Sequence, residues 1–108
     1  MLLVVDVGNT NTVLGLFEGS TLRHTWRIST TQRTTDEFGL LMLQLLAHQG
    51  VTPPRVQGVA IGTVVPSVLY SMEKASRRYL QADVRVVDPR KMNLLPMKVD
   101  NQIGRAHV

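Results

Sequence analysis

Met1-Leu2-Leu3-Val4-Val5-Asp6-Val7-Gly8-Asn9-Thr10-Asn11-Thr12-Val13-Leu14-Gly15 is the stretch around which the rest of the chain is organised. Its opening residues are apolar without alternation, which is how a strand reads when both of its faces are covered, as at the centre of a sheet. The run meets a single carboxylate, Asp6, and then a small polar turn, Gly8-Asn9-Thr10-Asn11. Apolar residues resume at Val13, Leu14, Leu16 and Phe17. Gly and Asn tolerate positive φ, so the turn is expected to fold the second run back as a hairpin. A turn of this kind at the mouth of a sheet also has a chemical use. Gly8 lets the backbone approach a ligand closely, and successive N–H groups with the Asn and Thr side chains are donors suited to phosphate oxygens. Asp6 would repel a phosphate directly, but it suits a Mg2+ ion or its bound water bridging to one. The plain alternative is a β-hairpin in which Asp6 only helps form the turn.

Composition narrows the classes. A chain of 108 residues, 44% hydrophobic and 19% charged, is an ordinary globular composition for at most one domain with a real core. There is no cysteine, so disulfides and thiolate-bound metal are excluded. His24, His48 and His107 have no ligand spacing and read as surface or rim residues. Away from the N-terminus the longest apolar run, Leu40 to Ala47, is far short of the ~20 residues that cross a bilayer. No basic region precedes the first apolar run and Asp6 interrupts it, so no signal peptide is expected and the expected location is cytoplasmic, with no membrane partner. The formal charge is +4, but the twelve Lys and Arg are dispersed, with Arg77-Arg78 and Arg90-Lys91 as the doublets, and aromatics are few. Nucleic acid is therefore not an expected partner, and the charge serves to attract anionic nucleotides.

Along the chain, Glu18-Gly19-Ser20 marks a second turn. Thr21 to Ser29 then alternates, placing Leu22, Trp26 and Ile28 on one face of an edge strand whose other face is wet. Thr34 or Thr35 is expected to cap a helix with Asp36 and Glu37 in its first turn. That helix buries Phe38, Leu41, Leu45 and their neighbours and stops at Gly50. Thr52-Pro53-Pro54 links it to a buried strand within Val56 to Val65, Pro66 opens a second helix through Tyr70, Met72 and Tyr79, and Val84 to Val87 is a further strand. Strands separated by helices pair in parallel through right-handed crossovers, so the pattern by itself gives a mixed sheet with helices packed on it.

Asp6-Val7-Gly8-Asn9-Thr10-Asn11 resembles the first phosphate loop of the actin-like/sugar kinase ATPase superfamily, and more narrowly that of the type III pantothenate kinases. The resemblance continues in Arg33-Thr34-Thr35-Asp36-Glu37-Phe38-Gly39, in Thr63-Val64-Val65-Pro66 and in Pro96-Met97-Lys98-Val99-Asp100-Asn101. It implies an α/β, ribonuclease H-like domain over residues 1–101, incomplete, with a five-stranded mixed sheet of order 3-2-1-4-5 and helices on its faces. It also implies ATP-dependent phosphorylation of pantothenate, the first step of coenzyme A biosynthesis. Under it, Asp6, Val7, Gly8, Asn9, Thr10, Asn11, Thr12 and Val13 form the ATP-phosphate site, with Asp6 placing Mg2+ and a monovalent cation, K+ or NH4+, assisting nucleotide binding. The intact enzyme is expected to be a homodimer. Some relatives place a substrate-contacting Tyr where Val99 stands, so Val99 can offer only apolar contact to pantothenate.

The chain departs from this family at its end. Family members continue with Pro-Glu and a Gly-Ala-Asp-Arg motif whose Asp is the presumed general base, whereas this sequence reads Gln102-Ile103-Gly104-Arg105-Ala106-His107-Val108. No catalytic residue is therefore assigned. The codons ATC-GGA-AGA-GCA-CAC-GTC-TGA, which open a common sequencing adapter, translate to Ile-Gly-Arg-Ala-His-Val and a stop. Residues 102–108 are accordingly expected to be a non-native tail. Asp36 has a substrate-end reading in the family and a simpler one as a helix-capping charge. Two other classes remain open: a non-catalytic transcriptional accessory factor of the same family, and a cytoskeletal or chaperone-like ATPase. The polar loop Thr30 to Thr35 and the Thr63–Pro66 segment favour the kinase branch.

Overall fold

The computed structural model describes residues 1–94. In order these form β1 (Leu2–Val7), β2 (Asn11–Glu18), β3 (Thr21–Ser29), α1 (Thr35–His48), β4 (Gly58–Thr63), α2 (Pro66–Leu80) and β5 (Asp83–Val87), with 3-10 turns at Pro53–Arg55 and Pro89–Leu94. The strands make one sheet in the order β3-β2-β1-β4-β5. The first three form an antiparallel meander, while β1, β4 and β5 run parallel. The unalternating run at the N-terminus has become the central strand, where Leu3, Val4 and Val5 are almost fully buried.

Both crossovers, from β3 through α1 to β4 and from β4 through α2 to β5, step in the same direction across the sheet. Crossovers of one hand that advance in one direction must put their helices on the same face. That is where α1 and α2 lie, packing Phe38, Met42, Leu46, Val68, Met72 and Leu80 over Leu3, Val5, Val7, Leu14, Leu16 and Ile61. The alternate residues of the same strands, Val4 and Phe17 with Leu2, Val13, Leu22 and Val87 at their margin, gather on the other face. Among the described residues both helices therefore lie on one face of the sheet.

Two readings change for local reasons. The buried row of α1 is Phe38, Met42 and Leu46, with Gly39 beside Phe38, rather than Phe38, Leu41 and Leu45. The helix is turned because α2 docks against Gly39, where a Cβ would stand 2.1 Å from the Tyr79 ring. In β3, Leu22 leaves the face shared by Trp26 and Ile28. Register shifts at a bulge, so that His24 pairs with Leu16 but Leu22 pairs with Phe17, and Arg23 is the extra residue. The helix ends follow the sequence closely. Thr34 Oγ1 accepts from the Glu37 N–H at 3.1 Å and Glu37 Oε1 accepts from the Thr34 N–H at 2.8 Å, a reciprocal capping box. At the other end Gly50, at φ +69°, lets its own N–H reach Ala47 O and that of Val51 reach Leu46 O. Among the described residues no helix is long and apolar enough to cross a membrane.

Candidate functional site

The parallel pairing of β1 with β4 brings their C-terminal ends to one rim of the sheet, where Asp6 lies between Val13 of β2 and Gly62 of β4. The C-terminal ends of parallel strands are where open α/β sheets characteristically present ligands. The β1–β2 turn sits at this rim and closes with the Gly8 N–H donating to the Asn11 carbonyl at 2.9 Å. No residue of the turn has positive φ; among the described glycines that conformation belongs to Gly19 and Gly50. The last ladder pair is Val7 with Thr12, so the loop is longer than the two-residue hairpin that would need left-handed residues. Glycine at position 8 matters for space instead, since a Cβ there would stand 3.1 Å from the Asn11 carbonyl oxygen.

The predicted phosphate-site residues separate into three groups. Asn9, Thr10 and Asn11 are exposed, while Asp6, Gly8 and Val13 are half-buried. Val7 and Thr12 are buried on the helix side, and the Thr12 hydroxyl is 2.9 Å from that of Thr30, so these two can offer a ligand only their backbone. The Thr30 N–H donates to the Thr10 carbonyl at 2.9 Å, which ties the exit of β3 to the turn and consumes one acceptor rather than a donor. Val99 lies outside the described residues, as does the boundary at residue 101.

Neighbouring segments hold the rim in place. Thr63 Oγ1 accepts from the Val65 N–H at 2.8 Å and donates to the Val65 carbonyl at 3.0 Å, and the Val64 N–H donates to the Val7 carbonyl at 3.2 Å. The Thr63-Val64-Val65-Pro66 motif is thereby a turn that fastens the start of α2 to the end of β1. Asp36 stands in the first turn of α1 as the expected capping charge, while Glu37 completes the capping box, and Asp36 has a second use. It accepts from the Tyr79 hydroxyl, raising the pKa of that phenol, and pairs with Arg78 at 3.5 Å, so it joins α1 to α2. His24 is half-buried, packed edge-on against Trp26 with ring centroids 4.9 Å apart, and His48 is exposed.

Asp6 is electrostatically the most telling of these residues. Among the described residues its carboxylate has no hydrogen-bond or ion-pair partner, and burial pushes its pKa above the ordinary value. A half-desolvated carboxylate with no donor is a poor place for a charge unless a cation arrives there. No cluster of three His, Cys, Asp or Glu surrounds it among the described residues. A lone carboxylate suits Mg2+, which takes one or two protein oxygens and fills its remaining positions with phosphate oxygens and water. Cross-strand register adds a residue that the sequence reading left among the wet-face positions: Arg27 pairs with Val13, which pairs with Asp6. The β2–β3 register decides this, and only a register could have pointed to it. At the opposite end of the sheet a concavity lined by Met1, Glu18, Arg23, Gln49 and Arg55 has its charges matched internally, Glu18 lying 3.8 Å from Arg23 and 3.6 Å from Arg55.

The sheet order and helix placement are those of the ribonuclease H-like class to which actin-like kinases belong. A ROK hexokinase from Thermus thermophilus superposes with a TM-score of 0.58 at 15% identity, covering 81% of this chain and 34% of that one. RuvC from the same species superposes at 0.54 with 18% identity, over 85% and 66%. Identities so low establish the fold alone. Sequence is more discriminating: the type III pantothenate kinase family model matches residues 2–105, and the chain belongs to that family. A type III pantothenate kinase from Myxococcus xanthus is 45% identical over 102 residues, which is 94% of this chain but 40% of the relative. The chain therefore spans about two-fifths of the length of the curated relatives it matches.

Proposed function

We propose that this chain supplies the phosphate-binding rim of an enzyme that transfers the γ-phosphoryl group of ATP to the hydroxyl of pantothenate, giving 4'-phosphopantothenate. The observation that carries the reading is Asp6: a half-buried carboxylate lacking a partner among the described residues, beside an exposed Gly8–Asn11 turn, in a member of this family. Asp6 would hold Mg2+, which when bound neutralises charge on the phosphates. The Gly8 to Val13 backbone, with the Asn9, Thr10 and Asn11 side chains, would orient the polyphosphate. Phosphoryl transfer depends chiefly on positioning and charge stabilisation, so these are contributions a rim of this kind can make.

The rim is not a whole active site. Transfer also needs a carboxylate to take the hydroxyl proton as the substrate oxygen bonds to phosphorus and ADP departs, and this chain has no assigned residue for that role. The monovalent cation and the homodimer implied by the resemblance belong to the intact enzyme in this reading, and Val99 would give pantothenate apolar contact at most. We further propose that residues 102–108 are non-native, the family match running only four residues into them, to residue 105; the source DNA across codon 102 tests this by continuing, or failing to continue, into Pro-Glu and Gly-Ala-Asp-Arg codons. The functional test is calorimetric titration of the 108-residue chain with Mg·ATP. Saturable binding that is lost in Asp6→Asn is expected, together with no turnover of pantothenate. Binding indifferent to Asp6 would overturn the metal role, and turnover would overturn the incompleteness.

A further inference from the structure

We propose that Arg27 is a second charged contact for the bound polyphosphate, gripping its terminal phosphate from β3 while Asp6 holds the metal from β1. The inference rests on the phosphate-site reading above and extends it to a residue outside the loop.

Three observations carry it. Directly paired residues on neighbouring strands share a face, and the row Arg27–Val13–Asp6–Gly62 runs across four strands at the rim. Arg27 and Asp6 are thus on the face opposite the helices, two strand spacings apart, on the order of 10 Å between backbones. That gap is too wide for a direct ion pair but is spanned by an extended guanidinium, a phosphate and a metal in series. Second, the described residues include eight arginines, and seven have a carboxylate, carbonyl or aromatic partner: Arg23, Arg55, Arg77, Arg78, Arg85 and Arg90 pair with acids, and Arg33 donates to the Ser29 carbonyl. Arg27 is the exception, exposed and without a partner among the described residues. Third, what lies between and beside the two charges leaves room. Val13 contributes a short apolar side chain, and Gly62 contributes none on the β4 side.

Two uncommitted charges of opposite sign on one rim, held apart, suit a ligand that carries both signs, and a metal-bound polyphosphate is such a ligand. Arginine rather than lysine fits the role because its planar fork can donate two hydrogen bonds to one phosphate. The other anion within this chemistry is the carboxylate of the acceptor, and the test separates the two.

The test titrates the 108-residue chain with inorganic tripolyphosphate, with and without Mg2+, and separately with pantothenate, following 31P shifts and heat. Arg27→Met keeps the apolar stem and removes the charge. It is expected to weaken tripolyphosphate binding about tenfold whether or not Mg2+ is present, a loss typical of one charge-assisted contact. Arg27→Lys should recover part of it, and Arg23→Met, at the bulge and paired with Glu18, should change nothing. Asp6→Asn should behave in the opposite sense, abolishing the Mg2+ enhancement while leaving or improving metal-free binding. An unchanged unfolding midpoint for Arg27→Met shows that the loss is not one of folding. If the parent binds tripolyphosphate and Arg27→Met binds it equally well, the Arg27 role is overturned and the loop reading stands. If Arg27→Met weakens pantothenate alone, the contact belongs to the acceptor and the proposal is likewise overturned. If the parent binds no polyphosphate, both readings fall together.

Discussion

From β1, β2 and β4 the helix side of the sheet takes Leu3, Val5, Val7, Leu14, Leu16, Val59 and Ile61, while the other side takes Leu2, Val4, Asp6, Val13, Phe17, Ala60 and Gly62. The same strands supply both sets, one residue out of step. On the helix side a polar intrusion, Thr12, is matched by Thr30, and the remainder interdigitates with two helices. The other side has its own small apolar cluster around Val4 and Phe17, and beside it Asp6, a carboxylate without a partner among the described residues whose burial disfavours its charged form. One face is filled by the two helices while the other leaves Asp6 half-buried, and the alternation of a strand is what lets a single segment supply both.

That contrast can be broken by substitutions of graded size. The largest loss is expected from Phe38→Ala, which empties a fully buried site under α1 and should cost about 3–5 kcal/mol by urea denaturation. Arg85→Ala, which removes an exposed side chain from the opposite face, should stay within about 0.5 kcal/mol. Similar losses at the two sites would mean that Phe38 is not packed between α1 and the sheet. Next comes Gly39→Ala: it forces the Tyr79 ring away and should cost about 1–3 kcal/mol despite alanine's better helix propensity. A double-mutant cycle with Tyr79→Ala should show coupling between the two positions, and strict additivity would mean the helices do not meet there. Thr34→Ala removes half of the capping box, with an expected cost of about 1 kcal/mol and a midpoint about 4–8 °C lower in a thermal melt.

The smallest effect has the opposite sign. Because burial raises the Asp6 pKa in the folded state, the unfolded chain holds the ionised form more comfortably. The carboxylate therefore costs stability above its raised folded pKa, and that cost disappears as pH falls to the ordinary carboxylate value. Asp6→Asn should raise the ligand-free thermal midpoint at neutral pH by less than ~4 °C, since the group is half-exposed, and the gain should vanish in acid. Saturating Mg·ATP should reverse the order, stabilising the parent and not the variant. A variant that melts lower than the parent at neutral pH would show that Asp6 has a stabilising partner.

How much was legible beforehand differed between elements for reasons of range. The capping of α1 by Thr34 and Glu37, its end at Gly50 and the start of α2 at Pro66 depend on residues within a few positions, and the sequence carries them whole. The stripe of α1 and the placement of Leu22 were misread because they depend on partners far along the chain. Tyr79 turns the helix about Gly39, and the bulge at Arg23 reverses the alternation of β3. The turn at Gly8 was placed correctly, and the tolerance of its residues for positive φ goes unused, because loop length rather than residue type set its conformation.

The sequence by itself determined the central strand, the family and the pairing of a carboxylate with a polar turn, since each is written in consecutive residues. Tertiary structure alone decided that both helices cover one side, that Thr12 turns inward and that Arg27 joins Asp6 on the open side. Those outcomes follow from register and crossover direction, which fix how distant segments meet and leave no mark in any short stretch of chain.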